Sequence, residues 1–177
     1  MLCCHVDDTI IGGFKKDISN FMDEFEKHLK IERLGRMKKH LGVWWEWGKE
    51  DNGDTFLTAS MPKMVEEISE AYKQATGQKA KAANTPGFPG QMLKKKPDES
   101  DPMMLTEYRS LVGKLLYYTT KIGPEMANAV RDLSSHMSNP GVEHWKALER
   151  CVGYLMHLDK EMQGLIFRRP KKIQSIS

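Results

Sequence analysis

At 177 residues, with 40% hydrophobic and 29% charged side chains, the chain has the composition of a globular protein able to bury a core. Its 27 basic and 24 acidic residues leave a net charge of only +3, and its three cysteines, two of them adjacent at Cys3 and Cys4, fit neither a disulfide framework nor a zinc spacing. No apolar run reaches membrane-spanning length and no signal-peptide pattern opens the chain, so a soluble, intracellular, cytoplasmic protein without a membrane partner is expected.

The apolar run from Leu2 to Ile11 is interrupted by Asp7 and Asp8 and stops at Gly12-Gly13, which predicts a tight β-hairpin with the two acids at its tip. By itself the pair reads as a solvated turn at least as readily as a metal site. As a site it suits Mg²⁺, a hard cation that takes one or two carboxylates and whose charge relieves their repulsion. Phe14, Ile18, Phe21, Met22, Phe25 and Leu29 then fall at helical spacing, predicting an amphipathic helix that ends near Lys30. A second hairpin is expected from Leu41–Trp47 and Thr55–Thr58, turned at Asn52-Gly53, since Asn and Gly tolerate positive φ.

From Pro62 the spacing of Met64, Val65, Ile68, Ala71 and Tyr72 predicts a helix stopped by Gly77. Residues 78–101, with Pro86, Pro89 and Pro97 among glycines and lysines, read as a linker. Three helices follow, with apolar faces on Leu105–Leu116, Met126–Met137 and Trp145–Leu155. Pro124 and Pro140 are placed in the first turns of the second and third. A short strand, Leu165–Phe167, comes last. Basic residues cluster at 36–40, 79–81, 94–96 and 168–172, a distribution that suits either a phosphate-tracking surface or solvated linkers and helix faces.

This order is that of the C-terminal half of a polymerase palm followed by its thumb. His5-Val6-Asp7-Asp8 resembles the Tyr-x-Asp-Asp box of reverse transcriptases. Further matches are Leu34-Gly35, His40-Leu41-Gly42-Val43, Thr85-Pro86, Tyr108-Arg109-Ser110-Leu111-Val112-Gly113-Lys114-Leu115-Leu116-Tyr117, Asn139-Pro140, His144-Trp145-x-Ala147, Arg150-x3-Tyr154-Leu155 and Gly164-Leu165. Together they resemble the reverse transcriptase of copia-type long-terminal-repeat retrotransposons. His5 stands where that family has tyrosine, and Gly123-Pro124-Glu125-Met126 replaces its Arg-Pro-Asp-Ile.

The resemblance implies an α+β fold. Residues 1–60 would be the palm remnant, 61–77 a thumb helix, 102–167 a helical thumb and connection region, and 168–177 a basic tail. It implies RNA-directed DNA polymerisation by a two-metal mechanism, with Asp7 and Asp8 as catalytic carboxylates and Mg²⁺ ligands, Asp7 the more direct. His40, Leu41, Gly42 and Trp44 correspond to the primer grip, with Lys38, Lys39 and Arg109 as candidate phosphate contacts. The partners implied are a template-primer duplex of RNA or DNA and deoxynucleoside triphosphates, and the parent element also acts in virus-like particles and in the nucleus. The family's upstream aspartate and fingers would precede Met1 and its ribonuclease H domain would follow Phe167, in a longer polyprotein. The isolated chain is therefore expected to be catalytically incompetent with weak or absent Mg²⁺ binding. The alternatives are a nucleic-acid-binding remnant without chemistry and a non-functional relic.

Among the remaining residues, Trp45 and Trp47 are in phase with Val43 and expected in the core, leaving Trp44 as the contact candidate. His5 shares a strand face with Asp7, too little to make it a ligand. His144, with Trp145 on an apolar helix face and no second ligand at helical spacing, is expected to pack.

Overall fold

The computed structural model describes residues 1–6, 8–90, 92–95, 104–158 and 163–168, which form two compact units, Met1–Leu41 and Gly42–Ser177. Asp7, Gln91, 96–103, 159–162 and 169–177 lie outside the described residues, so Lys96 and all of the basic tail but Arg168 are not placed.

In the first unit, β1 (Leu2–His5) and β2 (Asp8–Ile11) pair antiparallel from Leu2↔Ile11 to His5↔Asp8, so the chain reverses in a short loop that begins at Val6. Tight loops of this length favour positive φ, and Val6 adopts φ +51, a costly value for a β-branched residue. The N-terminal ammonium and the Gly12 N–H extend the ladder through Met1 and Gly12. Helix α1 (Lys15–Phe25) stacks Phe21 on Phe25 one turn apart, with ring centroids 5.4 Å from each other. It ends five residues short of the expected Lys30, and Leu29 falls beyond it. The chain there closes three-residue turns, Lys27 N–H to Glu24 and His28 N–H to Phe25. Arg33 then folds back with Nε and Nη2 on the Glu26 carboxylate and Nη2 on Asp23, all at 2.7 Å, and its hydrogen bonds hold the Glu26 carboxyl below its ordinary pKa.

No described residue of this unit is buried, including those on the apolar stripe of α1. A helix whose apolar stripe is at most half-buried gains little from packing, and eleven residues are too few for propensity alone to hold it in water. The amides of α1 are therefore expected to exchange at least about tenfold faster than those of the buried helices of the second unit. Equal protection in amide hydrogen exchange of the monomer would contradict this.

Leu41, the last residue of the first unit (φ +48), and Gly42, the first of the second (φ +79), make a turn, so the strand begins at Val43 rather than Leu41. The first unit's short β3 (Lys39–His40) precedes that turn. Strands β4 (Val43–Lys49) and β5 (Thr55–Ser60) form the expected hairpin. Gly53 has φ +85 and the Asn52 Oδ1 accepts the Asp54 N–H at 2.9 Å, a side-chain-closed turn. Strand β6 (Gly164–Arg168) pairs antiparallel with β5 from Phe56↔Arg168 to Ser60↔Gly164. Arg168, expected in a basic tail, ends that strand with Nε 2.7 Å from Glu50.

Helix α2 (Pro62–Thr76) has proline in its first turn and Gly77 at φ +72 as its stop. Then come α3 (Leu105–Lys121), a 3-10 turn (Pro124–Met126), α4 (Ala127–Ser134) and α5 (Val142–His157). Pro124 lies in the 3-10 turn, whereas Pro140 sits ahead of the α5 cap at Gly141, outside the helix. The core forms where α3 meets its neighbours, with Tyr108, Leu115, Val130, Leu148 and Leu155 all fully buried. The Tyr108 ring meets the Trp145 ring edge-on at 5.7 Å. No helix among the described residues is long and apolar enough to cross a membrane.

The segment read as a linker is instead packed, over its described residues, against α4 and α5. Ala80 and Leu93 lie on the core, and Gly153 of α5 receives the Lys81 carbonyl so closely that a Cβ there would collide with it. Arg150 donates from Nε to the Gly87 carbonyl (3.1 Å) and from Nη2 to the Thr85 hydroxyl (2.7 Å), while its guanidinium lies 4.7 Å from the Phe88 ring centroid. Helix side chains thus supply hydrogen-bond partners to this extended stretch, which takes part in no helix or sheet ladder.

Candidate metal and nucleic-acid site

Of the carboxylate pair, Asp8 opens β2 as an exposed residue and Asp7 lies outside the described residues. The hairpin register sets His5 directly opposite Asp8. Across a chain reversal, pairing rather than in-strand alternation decides which side chains are neighbours, so His5 is the cross-strand neighbour of Asp8. Among the described residues no group of three His, Cys, Asp or Glu converges to hold a metal. A two-metal centre needs several converging carboxylates, and the described hairpin residues supply one. They do not by themselves fit that centre.

Lys38 and Lys39 are exposed beside half-buried His40 and Leu41, all in the first unit. In the second unit, Gly42 lies against the Met61 side chain and the Tyr117 ring. Trp44 is 41% exposed and shares a sheet face with Glu46, Ser60, Thr58 and Ile166. Trp45 packs on the core from the opposite face and stacks on Phe167 at 6.0 Å. Trp47 is on that same face yet 47% exposed, contrary to the expectation that it is core. The phase is right, but burial fades along β4 from Val43 outward, and cross-strand Leu57 and Phe167 at that end are not buried either.

Arg109, a candidate phosphate contact, donates from Nε to the Met137 carbonyl at 2.7 Å, and its neighbour Tyr108 donates its hydroxyl to the Leu133 carbonyl at 3.0 Å. The pair therefore ties α3 to the C-terminal end of α4, where carbonyls lack helical partners. Burial pushes the Tyr108 phenol well above its ordinary range and the Cys151 thiol up to about 12, which keeps that cysteine a packing residue. Sequence reading missed the Lys121 ammonium 5.6 Å from the Tyr117 ring centroid, a helical i, i+4 pair whose residue types were in view. It also missed the hydrogen bonds of Arg150 and that of His144 to Lys94, whose partners are distant in the chain, and the local cap of His144 on Gly141.

The chain is 29% identical over 161 residues to the retrovirus-related Pol polyprotein from transposon TNT 1-94 of Nicotiana tabacum, covering 88% of this chain and 12% of that protein. It is 28% identical over 154 residues to the corresponding polyprotein from transposon RE1 of Arabidopsis thaliana, 85% of this chain and 10% of that one. It is also 24% identical over 159 residues to a putative transposon Ty5-1 protein of Saccharomyces cerevisiae, 87% of this chain and 48% of that protein. No family model matches the chain, and no solved structure matches it. The similarity therefore runs through most of this chain and about a tenth of the plant polyproteins, and it is to proteins of transposons.

Proposed function

We propose that this chain derives from the reverse transcriptase region of a copia-type retrotransposon, with residues 1–60 corresponding to the end of the palm and the helices to thumb and connection. The observation that carries this reading is the similarity to transposon Pol polyproteins along 88% of the chain, combined with the Asp7-Asp8 pair of the sequence, whose Asp8 opens β2. Polymerisation on Mg²⁺ with template, primer and deoxynucleoside triphosphates belongs, in this reading, to the longer polyprotein. Asp7 and Asp8 are the carboxylates; Lys38 and Lys39 in the first unit are phosphate contacts, and Trp44 in the second unit is separately a nucleic-acid contact. The 177 residues by themselves are inactive in this reading, because among the described residues no group of three carboxylates or histidines gathers at Asp8, and loss of one member of a catalytic set that acts as a unit costs roughly 10⁴ or more in rate. Binding survives that loss, since phosphate contacts do not depend on the metal.

Two assays on the purified chain test this reading. Primer extension on an RNA template with Mg²⁺ is expected to be undetectable. Binding to a primer-template duplex is expected at low salt, to weaken steeply as salt rises, and to be reduced in Lys38→Ala/Lys39→Ala. Extension abolished by Asp7→Asn would overturn the claim that the chain alone is inactive. Absence of both extension and salt-sensitive binding would leave a relic without nucleic-acid function.

A further inference from the structure

Arg150, on α5, is half-buried, and its guanidinium is met by neutral groups. Nη2 donates to the Thr85 hydroxyl at 2.7 Å, Nε donates to the Gly87 carbonyl at 3.1 Å, and the Phe88 ring centroid lies 4.7 Å away. Among the described residues no carboxylate pairs with it. A guanidinium partly withdrawn from water without a counter-ion favours an anion beside it, and its planar fork fits the oxygens of a phosphate.

Thr85 stands where that anion can be made. It is half-buried at the guanidinium, in a stretch that takes part in no helix or sheet ladder, with exposed Asn84, Phe88 and Pro89 close by in the chain. Thr85-Pro86 is the one Ser/Thr-Pro dipeptide in the 177 residues. Proline biases the residue before it to an extended backbone and has no N–H of its own, so an enzyme acting on this hydroxyl must accept proline directly after it. Lys79 and Lys81, both exposed, add positive charge to the same stretch.

We propose that Thr85 is a phosphorylation site for a proline-directed protein kinase, with Arg150 as the receptor of the phosphate. The Thr85 Oγ bonds to the γ-phosphorus of ATP as the bond from that phosphorus to ADP breaks, and the hydroxyl proton leaves to the kinase's base. Transfer takes place while the stretch is lifted from α5, and the product closes on Arg150. The phosphate brings a charge of about −1.5 to −2 and three acceptor oxygens to a donor already at hydrogen-bond distance. No carbonyl is stranded by the change. Gly87 accepts from the Thr85 hydroxyl at 2.9 Å as well as from Arg150, so it keeps one donor when the hydroxyl proton is gone.

The full chain, incubated with a proline-directed serine/threonine kinase and Mg²⁺-ATP, is expected to take one phosphate at Thr85, mapped by peptide mass spectrometry, and none there in Thr85→Val. Phosphorus NMR then titrates the product. A guanidinium favours the dianion, so the second phosphate pKa is expected about half a unit or more below its ordinary value of about 6. The ordinary value is expected to return in Arg150→Gln, and in the phosphorylated chain unfolded by denaturant. A wild-type chain that takes no phosphate at Thr85 would overturn the site. A folded phosphoprotein with the pKa of the unfolded chain, or a lowered pKa that persists in folded Arg150→Gln, would overturn the role of Arg150. If that variant does not fold, the comparison of folded with unfolded wild type decides.

Discussion

Gly153→Ala is expected to destabilise the second unit by about 1–3 kcal/mol or more, and Gly113→Ala to stabilise it by up to about 1 kcal/mol. Both glycines lie inside helices, where alanine is normally the better residue because it loses less backbone entropy on folding. The surroundings set the opposite signs. A Cβ at Gly113 meets nothing within 4 Å, so only the propensity gain remains. A Cβ at Gly153 is aimed into the Lys81 carbonyl, a backbone atom that cannot rotate away as a side chain could. Accommodating it requires the 79–90 segment to lift from α5, which strains the hydrogen bonds of Arg150 to Thr85 and Gly87. Denaturant unfolding read on the second unit checks both signs, and a stabilised Gly153→Ala protein would show that the segment does not lie on α5.

Leu148→Ala is expected to cost about 2–5 kcal/mol, whereas Phe21→Ala should cost well under half of that although phenylalanine is the larger side chain. Leu148 is fully buried among residues of a close-packed core, so its truncation forfeits transfer free energy and leaves a cavity that neighbours only partly fill. Phe21 is 40% exposed and its recorded ring contact is the stack on Phe25, itself not buried. Less covered apolar area is lost when it is removed than at a fully buried position, and no closed cavity is left behind. The midpoint of chemical denaturation, at constant slope, measures the first effect. Helicity of the first unit is the readout for the second. Equal costs would mean that α1 has a buried face.

The hairpin turn at Asn52-Gly53, the start of α2 at Pro62 and its stop at Gly77 were legible because each depends on backbone preferences acting within a few residues. The apolar faces of α3 and α5 were legible for a similar reason: burial against one partner imposes the helical period on the sequence itself. The Asp-Asp motif was visible as residues, and of the two only Asp8 lies among the described residues. Pairing put Asp8 on a strand opposite His5, and in-strand alternation does not describe neighbours across a turn.

The sequence by itself therefore determined where helices and hairpins form and which transposon proteins the chain resembles, since both are written in neighbouring side chains or in ordered motifs. Tertiary structure alone decided that residues 79–90 and 92–95 pack rather than swing free. Their hydrogen-bond partners, Arg150 and His144, stand 65 residues from Thr85 and 50 from Lys94 in the chain, beyond the reach of any local pattern. It also decided that Trp47 is exposed, because alternation fixes the face of a strand but not how far along it the opposing layer extends. The same long-range docking gives the His144 Nε2–H its acceptor at Lys94, whereas the donor to Nδ1 is the local Gly141 N–H at the start of α5.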